Sequence, residues 1–360
     1  MKTTVPSGRI ACLDGWRGIA VLLVLWGHFF PVSWINLGTF GVEFFFVLSG
    51  RLMAQILFLN KFPLPKFFFR RATRILPALI GFVGVYWLVS ALAGEPYSLS
   101  PLWAVAAVTF TYNYLVLATH STGWFDHIWS LCIEEHAYFI LGGLVVLFGR
   151  SVRMAIYVIG GLALLMMLNG AISSAVFNQS YETVAHRSDV HIGSIFISAA
   201  VFLLLRTRLK EAWLNRWALP IFLLAMIGGW ALNSNNIGYP LQYSLGTTCL
   251  AIAVALIDVA SKSIAALFAH PFLSRFGLWS YSIYLWQQPF YKLDEMHPGY
   301  TAAFLLAAVS CGVASYYLIE KPSRNWLNGL WPRVEAVILK RHPTEGKAIP
   351  DKVAAPDLSP

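Results

Sequence analysis

The sequence has 360 residues, 58% of them hydrophobic and only 12% charged, with a formal net charge of +9. A soluble domain carries about 25% charged residues, so a mean hydropathy of +0.63 leaves too little polar surface for a water-soluble globule and makes lipid the solvent. The basic residues sit in short clusters between apolar runs, the positive-inside pattern of a membrane protein, which excludes nucleic acid as the partner.

The apolar runs are continuous rather than alternating, so they predict helices and not a barrel. The expected fold is all-α, a polytopic membrane bundle of about ten transmembrane helices. The first run, 18–33, follows Arg17 and contains His28, eleven residues further on. That spacing is close to three helical turns, so both fall near one face, roughly 16 Å apart along the axis. Arg17 is expected at the cytoplasmic edge and His28 about mid-membrane. No small-residue cleavage site follows, so no cleavable signal peptide is expected.

Charged groups at bilayer depth cost at least ~2.5–3.5 kcal/mol each on insertion scales, so they need partners or a water-filled cavity. The second run, 40–59, carries Glu43 one turn inside and then Ser49-Gly50 and Arg51. The small-residue break permits close helix approach or a loosened backbone lining a cavity. Arg51 is within snorkelling distance of the inner surface. Arg70, Arg71 and Arg74 precede a third span, 76–94, with Arg71 and Arg74 on one helical face. Guanidinium forks suit phosphate oxygens, although such a cluster also serves as ordinary positive-inside charge.

The run 102–118 is short and holds Thr109, Thr111, Tyr112 and Asn113. All basic clusters share one side only if this run does not cross, which leaves 95–127 outside and both termini in the cytoplasm. A span at 128–149 starts at the outer surface and carries Glu134 and Glu135 roughly 9–12 Å deep. They approach the depth expected for His28, where a carboxylate can orient the imidazole as a general base. Glu134 is taken as the partner, with Glu135 as the alternative.

Further spans are expected at 153–170, 190–206, 217–233, 241–261, 276–292 and 301–320. His186, Arg187, Asp189 and His191 cluster at the outer start of 190–206, a polar rim suited to sugar hydroxyls. Arg187 and Asp189, with Glu43, are the candidate acceptor contacts. The membrane domain is expected over 1–325, followed by a polar, disordered cytoplasmic tail over 326–360. The four cysteines have no metal or redox spacing, and His136 lacks a histidine partner four residues away, so no metal site is expected.

Six segments in order carry a family resemblance: LDGWRGIAVLLVLWGH, GVEFFFVLSG, FFRRATRILPAL, HIWSLCIEEHAYF, SYSIYLWQQP and IEKPSRNW. The sequence resembles the membrane-bound acyltransferase family 3, which includes bacterial O-antigen, nodulation-factor and exopolysaccharide O-acetyltransferases. The resemblance covers roughly residues 10–325. It implies an integral protein of the bacterial inner membrane that moves an acyl group, with acetyl expected, from cytoplasmic acyl-CoA to a hydroxyl of a cell-surface or lipid-linked carbohydrate. It implies His28 as the catalytic residue and Arg17, Arg70, Arg71 and Arg74 as contacts for the coenzyme A phosphates. Where many relatives have a histidine near the end of the fifth segment, this chain has Gln287 and Gln288. The alternative function is transport of a sugar or lipid-linked sugar, since intramembrane ionisable residues also mark transport paths.

Overall fold

The computed structural model describes residues 10–94, 97–121 and 123–341. These form α1 (Ala11–Phe29), α2 (Leu37–Met53, prolonged by a π-helical stretch Ala54–Leu59), α3 (Leu64–Ala93), α4 (Pro101–Val108), α5 (Tyr112–Thr119), α6 (Ile128–Phe148), α7 (Val152–Ala175), α8 (Tyr181–His186) and α9 (Ser188–Arg208). Then come α10 (Glu211–Leu232) and α11 (Tyr239–Leu241), which runs through π-helical Gln242–Gly246 into α12 (Thr247–Ala260). They are followed by α13 (Lys262–Phe268), α14 (Pro271–Met296), α15 (Thr301–Ser315), π-helical Tyr316–Glu320, α16 (Lys321–Asn328) and α17 (Trp331–Arg341). Helix is the solution a lipid solvent permits, because each backbone N–H and C=O must find its partner within the segment.

Among the described residues, eight helical segments are long and apolar enough to cross a membrane. The protein is an all-α polytopic membrane protein. The other two expected spans are also helical, α1 with 19 residues and α14 with 26. Their polar content, Asp14, Arg17 and His28 on α1 and Arg275, Gln287 and Gln288 on α14, makes them less apolar than the other eight.

Helix boundaries follow local chemistry. Asn36 caps α2 by accepting from the Thr39 backbone N–H at 3.0 Å, and Ser261 caps α13 from Ile264 at 3.0 Å. The run 102–118 becomes two eight-residue helices, α4 and α5, separated by Phe110 in the left-handed region at φ 57°. Each is about 12 Å long, too short to cross a membrane.

One expectation needs correction here. The arginine cluster does not precede the third span; α3 starts at Leu64, so Arg70, Arg71 and Arg74 lie on the helix itself. Pro63 at the N-cap and Pro65 inside the first turn start it there, where missing N–H groups cost nothing. The expected domain boundary at 325 falls inside α16, and α17 continues the helical chain to Arg341. Trp331 packs its ring 5.2 Å from that of Phe69, and Thr73 donates to Asn328 Oδ1 at 3.0 Å, so this stretch docks on α3. The rest of the expected tail, 342–360, lies outside the described residues.

The bundle has a centre and a periphery. In α2 and α9, 78% of the most apolar stretch is buried, against 28% in α7 and α10 and 22% in the segment 301–328. Close backbone contact sets the central helices. A Cβ on Gly18 would stand 2.1 Å from Leu273 O, and one on Gly277 would stand 2.0 Å from Asp14 O, so α1 and α14 pack backbone to backbone. Gly50 does the same for α2 against α9, where a Cβ would lie 2.0 Å from Ile195 O. The Ser49-Gly50 break is therefore a close-packing device.

The basic loops share one end. Arg150 donates to the carbonyls of Lys61 and Phe62 at 2.8 Å each. Arg51, expected to snorkel, is instead fully buried; it pairs with Asp258 at 3.1 Å, and Arg206 also bonds Asp258. A buried guanidinium without such a partner would be strongly destabilising, which is why it stays inside only beside a carboxylate. At the opposite end, Asn235 joins the loop after α10 to that after α1 through bonds to Ser33 O and Trp34 O.

Candidate active site

Four helices, α1, α2, α6 and α14, each run past two chambers at opposite ends of the bundle. The first, with about 100 Å³ of free space, is a slot lined by Arg17, Arg70, Arg71 and Arg74, Glu134 and Tyr138 among aliphatic side chains. The second holds about 560 Å³ and is lined by His28, Asp126, His127, His186, Tyr291 and Lys292, among others.

In the basic chamber the arginines are not equivalent. Arg71 is held by two carboxylates, Nε to Glu135 at 2.7 Å and Nη2 to Glu134 at 3.2 Å, with its guanidinium 4.0 Å over the Tyr138 ring. Glu134 also accepts from Ser49 and Tyr138. Arg70 stacks on Phe62, with 5.4 Å to the ring centroid. Arg17 reaches Asp14 only at 3.4 Å. Arg74 has a buried Nε with no hydrogen-bond partner. An unsatisfied buried charged donor is costly, and Arg74 keeps one that no described protein group uses.

In the histidine chamber a chain of amides fixes the imidazole. Gln287 Nε2 donates to Gln288 Oε1 at 3.2 Å, which orients the Gln287 amide. Its Oε1 then lies 2.6 Å from His28 Nδ1. An amide oxygen only accepts, so Nδ1 carries a proton, and in the neutral ring Nε2 keeps its lone pair. The Tyr291 ring stacks on the imidazole at 4.5 Å with 13° between planes. A Cβ on Gly38 would come within 3.3 Å of His28 Nε2, so the glycine leaves room beside the basic nitrogen.

The two chambers share Val42 and Tyr284 in their walls. Tyr284 donates to His127 O at 2.9 Å and lies 2.7 Å from Ser130 Oγ, which itself donates to His127 O at 3.1 Å. These bonds anchor the tyrosine of α14 to the start of α6 at the boundary between the chambers.

The expected site residues divide accordingly. His28 lines the histidine chamber from the last turn of α1, because the helix ends at Phe29. Glu134 does not orient it. The carboxylate belongs to the basic chamber, bound to Arg71, and the partner of His28 is Gln287 from α14. Arg17, Arg70, Arg71 and Arg74 do come together. Glu43 does not line either chamber. It is buried between His191 Nε2 at 2.5 Å and Thr247 Oγ1 at 3.0 Å, where it ties α2 to α9 and α12.

Arg187 and Asp189 also stay out of both chambers. Arg187 is spent on Asp189, Ser173, Gln179 and Asn169, knitting α7 to the start of α9. Its neighbour His186, 3.2 Å from Asp126, faces the chamber in its place. Sequence reasoning noted Gln287 only as standing where many relatives have a histidine, and missed Tyr284 and Asp126. The first two lie in the segment SYSIYLWQQP, whose polar residues in an apolar run were the available signal. Among the described residues, no group of three or more His, Cys, Asp or Glu side chains could hold a metal ion.

Comparison with known proteins adds identity to this geometry. The family model described as an acyltransferase domain matches residues 10–319. The chain is 29% identical to the peptidoglycan O-acetyltransferase OatA of Listeria monocytogenes, over 90% of this chain and 57% of that protein. It is 27% identical to the putative peptidoglycan O-acetyltransferase YrhL of Bacillus subtilis, over 87% of this chain and 54% of the relative. The putative membrane-bound transacylase BcsY of Komagataeibacter xylinus is 26% identical, with 90% and 85% covered. The chain thus spans little more than half the length of the first two relatives. No solved structure matches it. With its family match running through α1, α2, α6 and α14 alike, the chain belongs to family 3 of the membrane acyltransferases.

Proposed function

We propose that this protein transfers an acyl group, acetyl by the names of its relatives, from acyl-CoA bound at the basic chamber to a carbohydrate hydroxyl in the histidine chamber. One observation carries the reading: the same four helices line both chambers, with arginines at one end and a neutral, oriented imidazole at the other. The coenzyme's phosphates meet Arg74 and Arg17 at the slot. The slot is far below the roughly 300–1,000 Å³ of a small-molecule pocket, so only the thin pantetheine arm enters it.

The arm carries the thioester past Tyr284 and Val42 towards His28. Nε2 of His28 takes the proton of the acceptor hydroxyl, and the oxygen attacks the thioester carbonyl. The C–S bond breaks, and the thiolate leaves as coenzyme A once it is protonated. Gln287 holds the ring in the tautomer that makes this possible. The relatives are described as acetyltransferases and a transacylase, which leaves the transporter alternative without support.

The basic end faces the cytoplasm in this reading, since Lys61, Arg150 and Arg206 gather there and positive charge stays inside. Both termini then lie in the cytoplasm of a bacterium, with the protein in its inner membrane. A cysteine placed at Ser121 in a chain freed of its native cysteines should react with an impermeant thiol reagent on intact cells; protection until the membrane is opened would reverse the orientation. The function itself is tested by thiol release from acetyl-CoA with purified protein. Release that depends on added carbohydrate is expected, and release that His28→Ala leaves unchanged would overturn the mechanism.

A further inference from the structure

A third cavity of about 320 Å³ adjoins the histidine chamber, and Asn36, Thr39, Tyr181 and Asn235 stand in the walls of both. Tyr181 and Thr39 form the junction between the two. Asn233, Tyr239 and Gln242, together with Phe40, close the far side. The contrast in chemistry is sharp. The histidine chamber contains Asp126, Glu182, Lys292 and Glu295, whereas among the described residues no charged one lines the third cavity.

Three amides of this cavity are held through their NH2 groups. Asn233 Nδ2 donates to Gly229 O at 2.7 Å, Asn235 Nδ2 to Ser33 O at 2.8 Å, and Gln242 Nε2 to Ser234 O and Ile237 O at 2.8 and 2.7 Å. These bonds fix the amides and leave their carbonyl oxygens as oriented acceptors. Stacking of Tyr239 on Tyr243 at 5.5 Å, with Tyr181 against its edge at 4.9 Å, makes the aromatic part of the wall rigid. Fixed acceptors that need O–H donors, beside aromatic rings that offer apolar faces, match a pyranose ring, which has hydroxyls on its rim and C–H groups on its faces. An anionic ligand would meet oxygen acceptors and no cation.

We propose that this cavity is a subsite for a second, uncharged sugar ring, so that the acceptor is an oligosaccharide or polysaccharide chain rather than a single sugar. The assignment rests on the reading of the histidine chamber as the acceptor site. One ring sits beside His28, and the next passes the Tyr181–Thr39 junction into the neutral cavity. The volume is at the lower limit of small-molecule sites, enough for one ring.

The test is isothermal titration calorimetry on the full chain in detergent. The probes are glucose with its β-1,4-linked dimer and trimer, and N-acetylglucosamine with its own dimer and trimer. At least one series should tighten tenfold or more from one ring to two, about 1.4 kcal/mol, with little further gain at three. Asn233→Ala and Gln242→Ala, which of the three cavities line only the third, should each cut that gain below threefold while monosaccharide binding stays unchanged. Equal affinity for one and two rings in both series overturns the subsite, as does an equal loss for monomer and dimer in both variants. Acetyl transfer is measured in parallel. A two-ring gain without transfer to any sugar would sink the acyltransferase reading and leave the subsite standing; transfer without a two-ring gain would do the reverse.

Discussion

The basic chamber and the histidine chamber are walled by the same four helices, yet they handle polarity in opposite ways. The basic chamber keeps charge inside by pairing it: Arg71 sits between Glu134 and Glu135, and Glu134 draws further bonds from Ser49 and Tyr138. The histidine chamber orients its central group without charge, through the Gln288–Gln287–His28 relay. Charged groups in lipid are retained where a partner cancels most of the desolvation cost. An amide relay has no such cost and leaves the imidazole free to gain and lose a proton. The first arrangement suits holding an anionic donor, the second suits proton transfer.

The largest expected effect tests the histidine side. His28→Ala should lower kcat by about 10²–10⁴-fold, the usual contribution of a general base, with acetyl-CoA affinity and Tm retained. A well-folded variant with full turnover would erase the difference between the chambers. Next, Arg71→Ala should destabilise the protein by roughly 3–5 kcal/mol, because it strands two buried carboxylates. Thermal unfolding in detergent reads this, and a Tm equal to the parent's would mean that the ion pairs contribute nothing.

Arg74→Ala sharpens the contrast inside the basic chamber. Losing one charge-assisted contact is worth about 1.5–3 kcal/mol, so the KM for acetyl-CoA should rise roughly ten- to a hundredfold while Tm holds. If Arg71→Ala and Arg74→Ala behave alike, the division into a structural and a ligand-facing arginine is wrong. The smallest effect belongs to the boundary. Tyr284→Phe removes the bonds to Ser130 and His127, each worth about 0.5–1.5 kcal/mol net. It should change kcat only several-fold and leave the acetyl-CoA KM unaltered; a change in KM alone would place Tyr284 with the donor.

Much of this was legible in the chain itself. Arg17, His28 and the cluster from Arg70 to Arg74 stand out because each borders or interrupts an apolar run, and all five line a chamber. Glu43 stands out for the same reason and is a packing partner of His191. An intramembrane charge signals only that a partner exists, and the partner can equally be a ligand or another helix. Arg187 and Asp189 show the same limit at the surface, where four polar side chains lie together in sequence but only His186 reaches the cavity. Glu134 and His28 come to similar depths by helical rise, yet depth says nothing about rotation about the helix axis.

The sequence by itself determined the helices and most of their order across the membrane. In lipid the backbone must satisfy its own hydrogen bonds, and a long apolar run has one way to do so. It also gave the ground for expecting that 102–118 does not cross, since only then do the basic clusters share one side. Tertiary structure alone decided which polar groups meet. Gln287 lies 259 residues from His28 and reaches it because Gly18 and Gly277 let α1 and α14 touch backbone to backbone. Helix rotation and tilt are set by such interhelical packing, summed over many weak contacts distant in sequence. For that reason the pairing of Arg71 with Glu134, and the separation of that pair from the imidazole, emerge only when the bundle is assembled.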